Sequence, residues 1–113
     1  MSATPALDRV FQALGDPSRL GMIERLSRGP LSVTELAEPL DMALPSVMKH
    51  LRVLEEGRLV RSQKRGRVRV YRLEPRALTS IDRWVAQRRR AWQVCFNRLE
   101  QFLIEEDDDA ASR

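Results

Sequence analysis

Between Leu59 and Leu73 the chain abandons helical spacing and alternates apolar with basic residues. Leu59, Val60, Val68, Val70, Tyr71 and Leu73 are interleaved with Arg61, Arg67, Arg69 and Arg72. A period of two puts successive side chains on opposite faces of a strand. A turn is expected at Lys64-Arg65-Gly66, and Pro75 closes the second strand, so the segment reads as a β-hairpin. Around it stand Arg58, Arg61, Lys64, Arg65, Arg67, Arg69, Arg72 and Arg76, against a single acid, Glu74. A solvated edge mixes signs. A one-sided cluster of this kind suits a polyanion such as the phosphate backbone of nucleic acid.

The residues before the hairpin follow a helical period. A first helix is expected from about Ala6 to Leu14, with Leu7, Val10, Phe11 and Leu14 on one face. Asp16 reads as an N-cap with Pro17 at the first helical position. The second helix carries Leu20, Ile23 and Leu26 inward and stops at Gly29-Pro30. Ser32 or Val33 opens a short third helix, and Pro39 and Asp41 mark a turn. A fourth helix starts near Ala43 or Leu44 and runs to Glu56. Its core row is Val47, Leu51 and Leu54, which leaves Ser46, Lys49, His50 and Val53 pointing outward.

A last helix is expected from about Ala77 to Leu103, roughly 40 Å at 1.5 Å per residue. Leu78, Ile81, Val85, Trp92, Cys95, Leu99 and Phe102 recur at three- and four-residue steps, with Arg88 breaking the row. A helix this long cannot bury such a stripe on a small domain, so the stripe is expected to face a second copy of the chain. Leu7, Val10 and Phe11 of the first helix are expected to join that dimer interface. Residues 1–104 form the domain, and the acidic run Glu105, Glu106, Asp107, Asp108, Asp109 begins a tail, 105–113, expected to be disordered. Without that tail, 19 basic residues face 11 acidic ones.

These features exclude several classes. A single cysteine, Cys95, permits no intramolecular disulfide. The N-terminal stretch lacks the pattern of a signal peptide, and no segment approaches a membrane span, so a cytoplasmic chain without membrane contact is expected. One histidine, His50, gives neither a catalytic set nor a multi-ligand metal site. Cys95 is expected as a small buried hydrophobe, and Trp84 and Trp92 as core or dimer packing. No enzyme, metal or cofactor is expected.

The order helix, helix, short helix, turn, helix, basic hairpin is the layout of a winged helix-turn-helix: mainly α with a β-hairpin wing, dimerising through its terminal helices. The segments FQALGDPSRLGMIERL, LSVTELAEPLDMALPSVMKHLRVLEEGRLV and RSQKRGRVRVYRLEP resemble the ArsR family of winged helix-turn-helix repressors. The resemblance covers residues 7 to 76. It implies a homodimeric repressor of a pseudo-palindromic double-stranded DNA operator, with a recognition helix around Leu44 to Leu54. By position, Ser46, Lys49 and His50 match residues near bases and backbone, and Arg67 and Arg69 match the wing. Met48, Arg52, Lys64 and Arg65 complete the expected DNA-binding set.

Three departures from the family pattern stand out. Metal-sensing members carry cysteines in a pattern resembling L-C-V-C-D-L, where this chain reads LSVTEL, with hydroxyls at Ser32 and Thr34. The last helix has Asp82 but no histidine. Hydroxyls are poor ligands for soft or borderline metals, so metal sensing is not expected, and a small-molecule effector is left unassigned. Met48 takes a place usually held by a small or polar residue. The usual Ala-Gly after the recognition helix is here Gly57-Arg58, so the left-handed cap shifts or falls on an arginine. The rival reading is a winged-helix module that binds protein and has no specific DNA target.

Overall fold

The computed structural model describes residues 6–111, with side chains through residue 108. The order is α1 (Leu7–Leu14), α2 (Pro17–Leu26), β1 (Leu31–Ser32), α3 (Val33–Ala37), α4 (Leu44–Glu56), β2 (Val60–Arg65), β3 (Val68–Leu73) and α5 (Pro75–Ala111). The chain divides into two units between Ser80 and Ile81. The first holds the helices α1–α4, the sheet and the first turns of α5.

The first unit is built around Val10, Met22, Leu36, Val47, Leu51, Leu54 and Leu59, all essentially solvent-free. Helix α4 contributes Val47, Leu51 and Leu54 as its spacing predicts. Helix α2 departs from expectation, because Leu20 is 45% exposed and Met22 is buried instead. The inward stripe is 19, 22, 23 and 26, a clean i, i+3, i+4, i+7 set that leaves position 20 outside. In α1 the buried positions are Val10 and Ala13, while Leu7 and Leu14 are half-buried and Phe11 is more open.

Ends are set by local chemistry. The Asp16 carboxylate accepts from the backbone N–H groups of Ser18 (2.9 Å) and Arg19 (3.1 Å), with Pro17 at the first helical position. These bonds hold the Asp16 carboxyl below its ordinary pKa, the Arg19 N–H having the largest effect. Ser32 and Glu35 form a reciprocal capping box on α3, with bonds of 3.1 and 3.0 Å. Helix α4 ends in a Schellman motif. The Leu59 N–H bonds Leu54 O and the Arg58 N–H bonds Glu55 O, while Arg58 itself takes the left-handed conformation at φ 58°. Of the two outcomes open from sequence, the cap falls on the arginine.

The sheet has order β1-β3-β2, all antiparallel. The two-residue strand β1 was not expected. It pairs Leu31 with Tyr71 and Ser32 with Val70, too short a segment to show a period. The hairpin register runs from Val60↔Leu73 to Arg65↔Val68, so the loop is Gly66-Arg67 and not Lys64-Arg65-Gly66. Gly66 sits at φ +64° and Arg67 keeps an ordinary φ, the pattern of a type II′ turn, which suits the twist of the strands.

Helix α5 begins at Pro75, two residues before the expected start, because proline is favoured at the first helical position. It also runs past Leu103 to Ala111, so the acidic run expected in a disordered tail is helical in this structure. No glycine or proline follows Pro75 to stop it, and Glu105 and Glu106 are good helix formers. Residues 112–113 of that tail lie outside the described residues.

Candidate nucleic-acid interface

Helix α4 presents its outer face through Ser46, Lys49 and Arg52, all exposed, with Met48 half-buried beside them. The buried row of Val47, Leu51 and Leu54 fixes the rotation of the helix, which leaves these side chains no inward alternative. Pro45 lies in its first turn, where the N–H that proline lacks would have had no intrahelical partner.

His50 does not lie open with them. Its side chain is 21% exposed, and its Nδ1 is 3.2 Å from Arg19 Nη1 and 3.8 Å from Asp16 Oδ2. The same Arg19 donates through Nε to Ala13 O (2.6 Å) and through Nη2 to Gln12 O (3.4 Å). One guanidinium thus covers the last-turn carbonyls of α1 and steadies a side chain of α4. A planar fork with five N–H groups can do this; an ammonium cannot. Arg25 does the same at the far end of α2, donating to Leu36 O (2.9 Å) and Glu35 O (2.7 Å) at the end of α3. Sequence reasoning missed both arginines. The only signal was the spacing of Asp16 and Arg19 around Pro17.

The wing presents Lys64, Arg65, Arg67 and Arg69, all exposed, and no acidic residue lies between Val60 and Leu73. Arg69 is steadied by a 2.8 Å bond from Nη1 to Ser62 Oγ on the paired strand. Arg61 has a different role. Its Nε is ion-paired with Glu74, a largely buried carboxylate whose other oxygen accepts from the Arg76 N–H (3.3 Å) at the start of α5. A groove of about 320 Å³ lies between α4 and β3. Met48, Arg52 and Glu55 line it from α4, Arg69 and Tyr71 from β3. Tyr71 is 3% exposed, and burial, then the nearby Glu55 carboxylate, pushes its phenol pKa up. It packs neutral under the groove as a spacer between helix and wing.

Of the residues expected at a dimer interface, Val10 is corrected. It is 0% exposed within the single chain, so it belongs to the core of its own unit. Leu7 is half-buried and Leu78 exposed in that unit. In the second unit Ile81 and Val85 are half-buried, and Trp92, Cys95, Leu99 and Phe102 are exposed. Cys95 is therefore not buried within its own chain. Phe96, Leu103 and Ile104, exposed on the same helix, were not singled out from sequence. Among the described residues no group of three or more His, Cys, Asp or Glu side chains could hold a metal ion. No helix among the described residues is long and apolar enough to cross a membrane.

A helix-turn-helix domain family matches residues 14–63. The HTH-type transcriptional regulator Rv2034 of Mycobacterium tuberculosis is 39% identical, over 96% of this chain and 99% of that one. A crystal structure of an ArsR family transcriptional regulator, RHA00566, superposes with a TM-score of 0.73 at 47% identity, covering 77% of this chain and 90% of that one. The chain belongs to the ArsR family. It is a helix-turn-helix transcriptional regulator and not an enzyme. The arsenical resistance operon repressor of Escherichia coli is 36% identical over 70% of the regulator and 65% of its own length. In this frame α3 and α4 form the helix-turn-helix and β2–β3 the wing of the regulator.

Proposed function

We propose that this regulator is a cytoplasmic, homodimeric repressor that binds a pseudo-palindromic DNA operator and does not use a transition metal as its effector. The observation that carries the reading is the shared exposure of Ser46, Lys49 and Arg52 on α4 and of Lys64, Arg65, Arg67 and Arg69 on an acid-free wing. A helix about 10–12 Å across enters the major groove, and a basic hairpin beside it reaches phosphates or the next groove. Met48, at the groove between them, suits a thymine methyl. His50, held by Arg19, offers Nε2 in a fixed direction.

The metal-free reading rests on the use made of Ser32. Where metal-sensing members have a thiolate, this side chain caps α3 in a reciprocal pair with Glu35. The dimer reading rests on the exposed apolar row of α5, far more than a solitary helix leaves in water.

The experiment is selection of bound fragments from the source genome, followed by anisotropy titration on the selected duplex and a scrambled one. The repressor reading expects tighter binding to the selected duplex, steeply weakened by salt, and no release by micromolar zinc. Equal affinity for both duplexes overturns sequence-specific repression. Zinc-driven release, lost on mutating named ligands, overturns the metal-free reading.

A further inference from the structure

A line of polar side chains crosses from the wing to the recognition helix. In the hairpin register Ser62 lies directly opposite Tyr71, and Lys64 opposite Arg69. Paired positions share a face of the sheet, and so do Arg69 and Tyr71, two apart on β3. Arg69, Ser62 and Tyr71 therefore project on one side of the hairpin. Arg69 and Tyr71 form one wall of the groove whose other wall is Met48, Arg52 and Glu55 of α4.

Hydrogen bonding runs one way along this line, from cation to anion. Arg69 donates from Nη1 to Ser62 Oγ at 2.8 Å. A hydroxyl that accepts one bond still has a proton to give. Burial and then the Glu55 charge raise the Tyr71 phenol pKa, and the Arg69 charge opposes them. The bond with Glu55 raises it further, while the bond with Ser62 lowers it. A bond that stabilises the neutral phenol is one the phenol donates, and a bond that stabilises its anion is one the oxygen accepts. Ser62 thus gives its proton to the Tyr71 oxygen, and Tyr71 gives its own to the Glu55 carboxylate. Each hydroxyl accepts once and donates once, and bonds in such a chain polarise one another.

We infer that Ser62, Tyr71 and Glu55 are positioning residues that tie Arg69 to α4, so that the wing offers this guanidinium to a backbone phosphate at a fixed distance from the recognition helix. The inference deepens the repressor reading above and rests on it. One of the five N–H groups of Arg69 is used by Ser62, and the others are left for an anion. Arg52 stands exposed on the α4 wall of the same groove, so a phosphate seated there meets a guanidinium from each side. Arg65 and Arg67, exposed at the end of the hairpin, keep a rotamer freedom that they must lose on binding. Arg69 has already lost it. On operator, α4 sits in one register on the bases, and a held Arg69 meets its phosphate there without adjustment. On scrambled DNA no register is preferred, and a loose arginine serves as well as a held one. The chain therefore acts on selectivity, because a phosphate contact of fixed geometry sets how the protein lies on the duplex.

The test is the ratio of affinities for the selected and scrambled duplexes, read by anisotropy on the full chain. Tyr71→Phe keeps the ring and breaks the chain. It should lower the ratio at least about threefold, the worth of one modest hydrogen bond, and leave the salt slope on scrambled DNA unchanged. Ser62→Ala, at a half-buried strand position that tolerates it, should do the same, and Ser62→Thr should retain the wild-type ratio. Glu55→Gln keeps an acceptor for Tyr71, so it should tighten binding to both duplexes alike and preserve the ratio, whereas Glu55→Ala should lower it. A variant that only loosens the fold weakens both duplexes equally. In an Arg69→Ala background Tyr71→Phe should have no further effect on the ratio. An undiminished effect there means that the tyrosine does not act through Arg69, and overturns the proposal. Wild-type ratios in both Tyr71→Phe and Ser62→Ala overturn it as well and leave the repressor reading standing. Equal affinity of the wild type for the two duplexes refutes both.

Discussion

Arg19 Nη1 stands 3.2 Å from His50 Nδ1, and through that contact the end of α1 is tied to the recognition helix α4. Arginine is always a donor, so the bond requires Nδ1 to accept and places the imidazole proton on Nε2. His50 then presents a donor, fixed in direction, on the side away from Arg19. The same guanidinium closes the last turn of α1 through Ala13 O and Gln12 O. The stretch Gly15-Asp16-Pro17-Ser18-Arg19 thus ends one helix, starts the next and orients a side chain on a third.

Loss of this guanidinium should be felt as stability. Arg19→Ala removes three acceptor contacts from a half-buried site, and a loss of about 2–3 kcal/mol is expected in urea unfolding. Arg19→Lys should recover less than half of it, because one ammonium cannot serve three acceptors at fixed angles. Equal stability of the Lys variant and the wild type would refute the assignment.

Two carboxylates make the fold sensitive to acid. Asp16 is held below its ordinary pKa first by the Arg19 N–H, and Glu35 first by the Ser32 N–H. A depressed folded-state pKa gives stability that is complete above the unfolded-state value and drains as pH falls through the lower folded one. Melting temperature should therefore fall between about pH 5 and pH 2. Asp16→Asn keeps a capping acceptor and removes the titration, so its melting temperature should decline less steeply over that window. A variant curve parallel to that of the wild type would show that Asp16 does not contribute.

Gly57 and Arg58 exchange the usual roles at the end of a helix. Gly57 has ordinary helical dihedrals, yet a Cβ there would meet Ala13 Cβ at 3.2 Å and Arg9 O at 3.3 Å, so the glycine serves the close approach of α1 to α4. Arg58 carries the left-handed conformation that glycine adopts without strain. Gly57→Ala should destabilise by about 1–2 kcal/mol through overpacking. Arg58→Gly should stabilise by about 0.5–1 kcal/mol, the relief of strain less the added freedom of the unfolded chain. Thermal melts of the two variants should move in opposite directions.

Elements with a strong local period were legible from the sequence. The core row of α4, the Asp16 cap and the two strands of the hairpin were readable, because each is fixed by neighbours within a turn or a strand pair. What was not legible depends on distant partners. Strand β1 is defined only by its pairing with Tyr71 and Val70. Leu20 looks like a core residue until the stripe beginning at Arg19 sets the rotation of α2. Arg19, Arg25 and Arg61 read as surface charge, yet each is bound to carbonyls or a carboxylate on another element. His50 read as open because the approach of Arg19 joins residues 31 apart. Lys64, Arg65, Arg67 and Arg69, expected at the interface, are exposed, and their separation from Arg61, which Glu74 engages, was not read from the sequence.

That separation gives a prediction about DNA. Phosphate contacts confer affinity without sequence information, and base contacts confer specificity. Lys64, Arg65 and Arg67 are exposed at the end of the hairpin, and Arg69 is steadied by Ser62 along it. Replacing Arg65 or Arg67 with Ala should weaken binding to operator and scrambled duplex alike. A dimer carries each twice, so the slope of log K against log salt should flatten by roughly 2, at about 0.9 per contact. Arg61→Ala should leave that slope unchanged, because its guanidinium is engaged by Glu74. It should instead lower stability by about 1–2 kcal/mol, as Glu74 loses its cation. Ser46, Lys49 and Arg52 face outward from α4, and loss of a base contact there should cost about 1–3 kcal/mol per half-site on operator and much less on scrambled DNA. Anisotropy titrations of these variants over a salt series check every arm. Should Arg61→Ala flatten the slope as much as Arg67→Ala, the division of the wing into a DNA-facing set and a structural arginine is wrong. Should every α4 variant lose the same affinity on both duplexes, α4 reads no bases, and the protein holds DNA through charge alone.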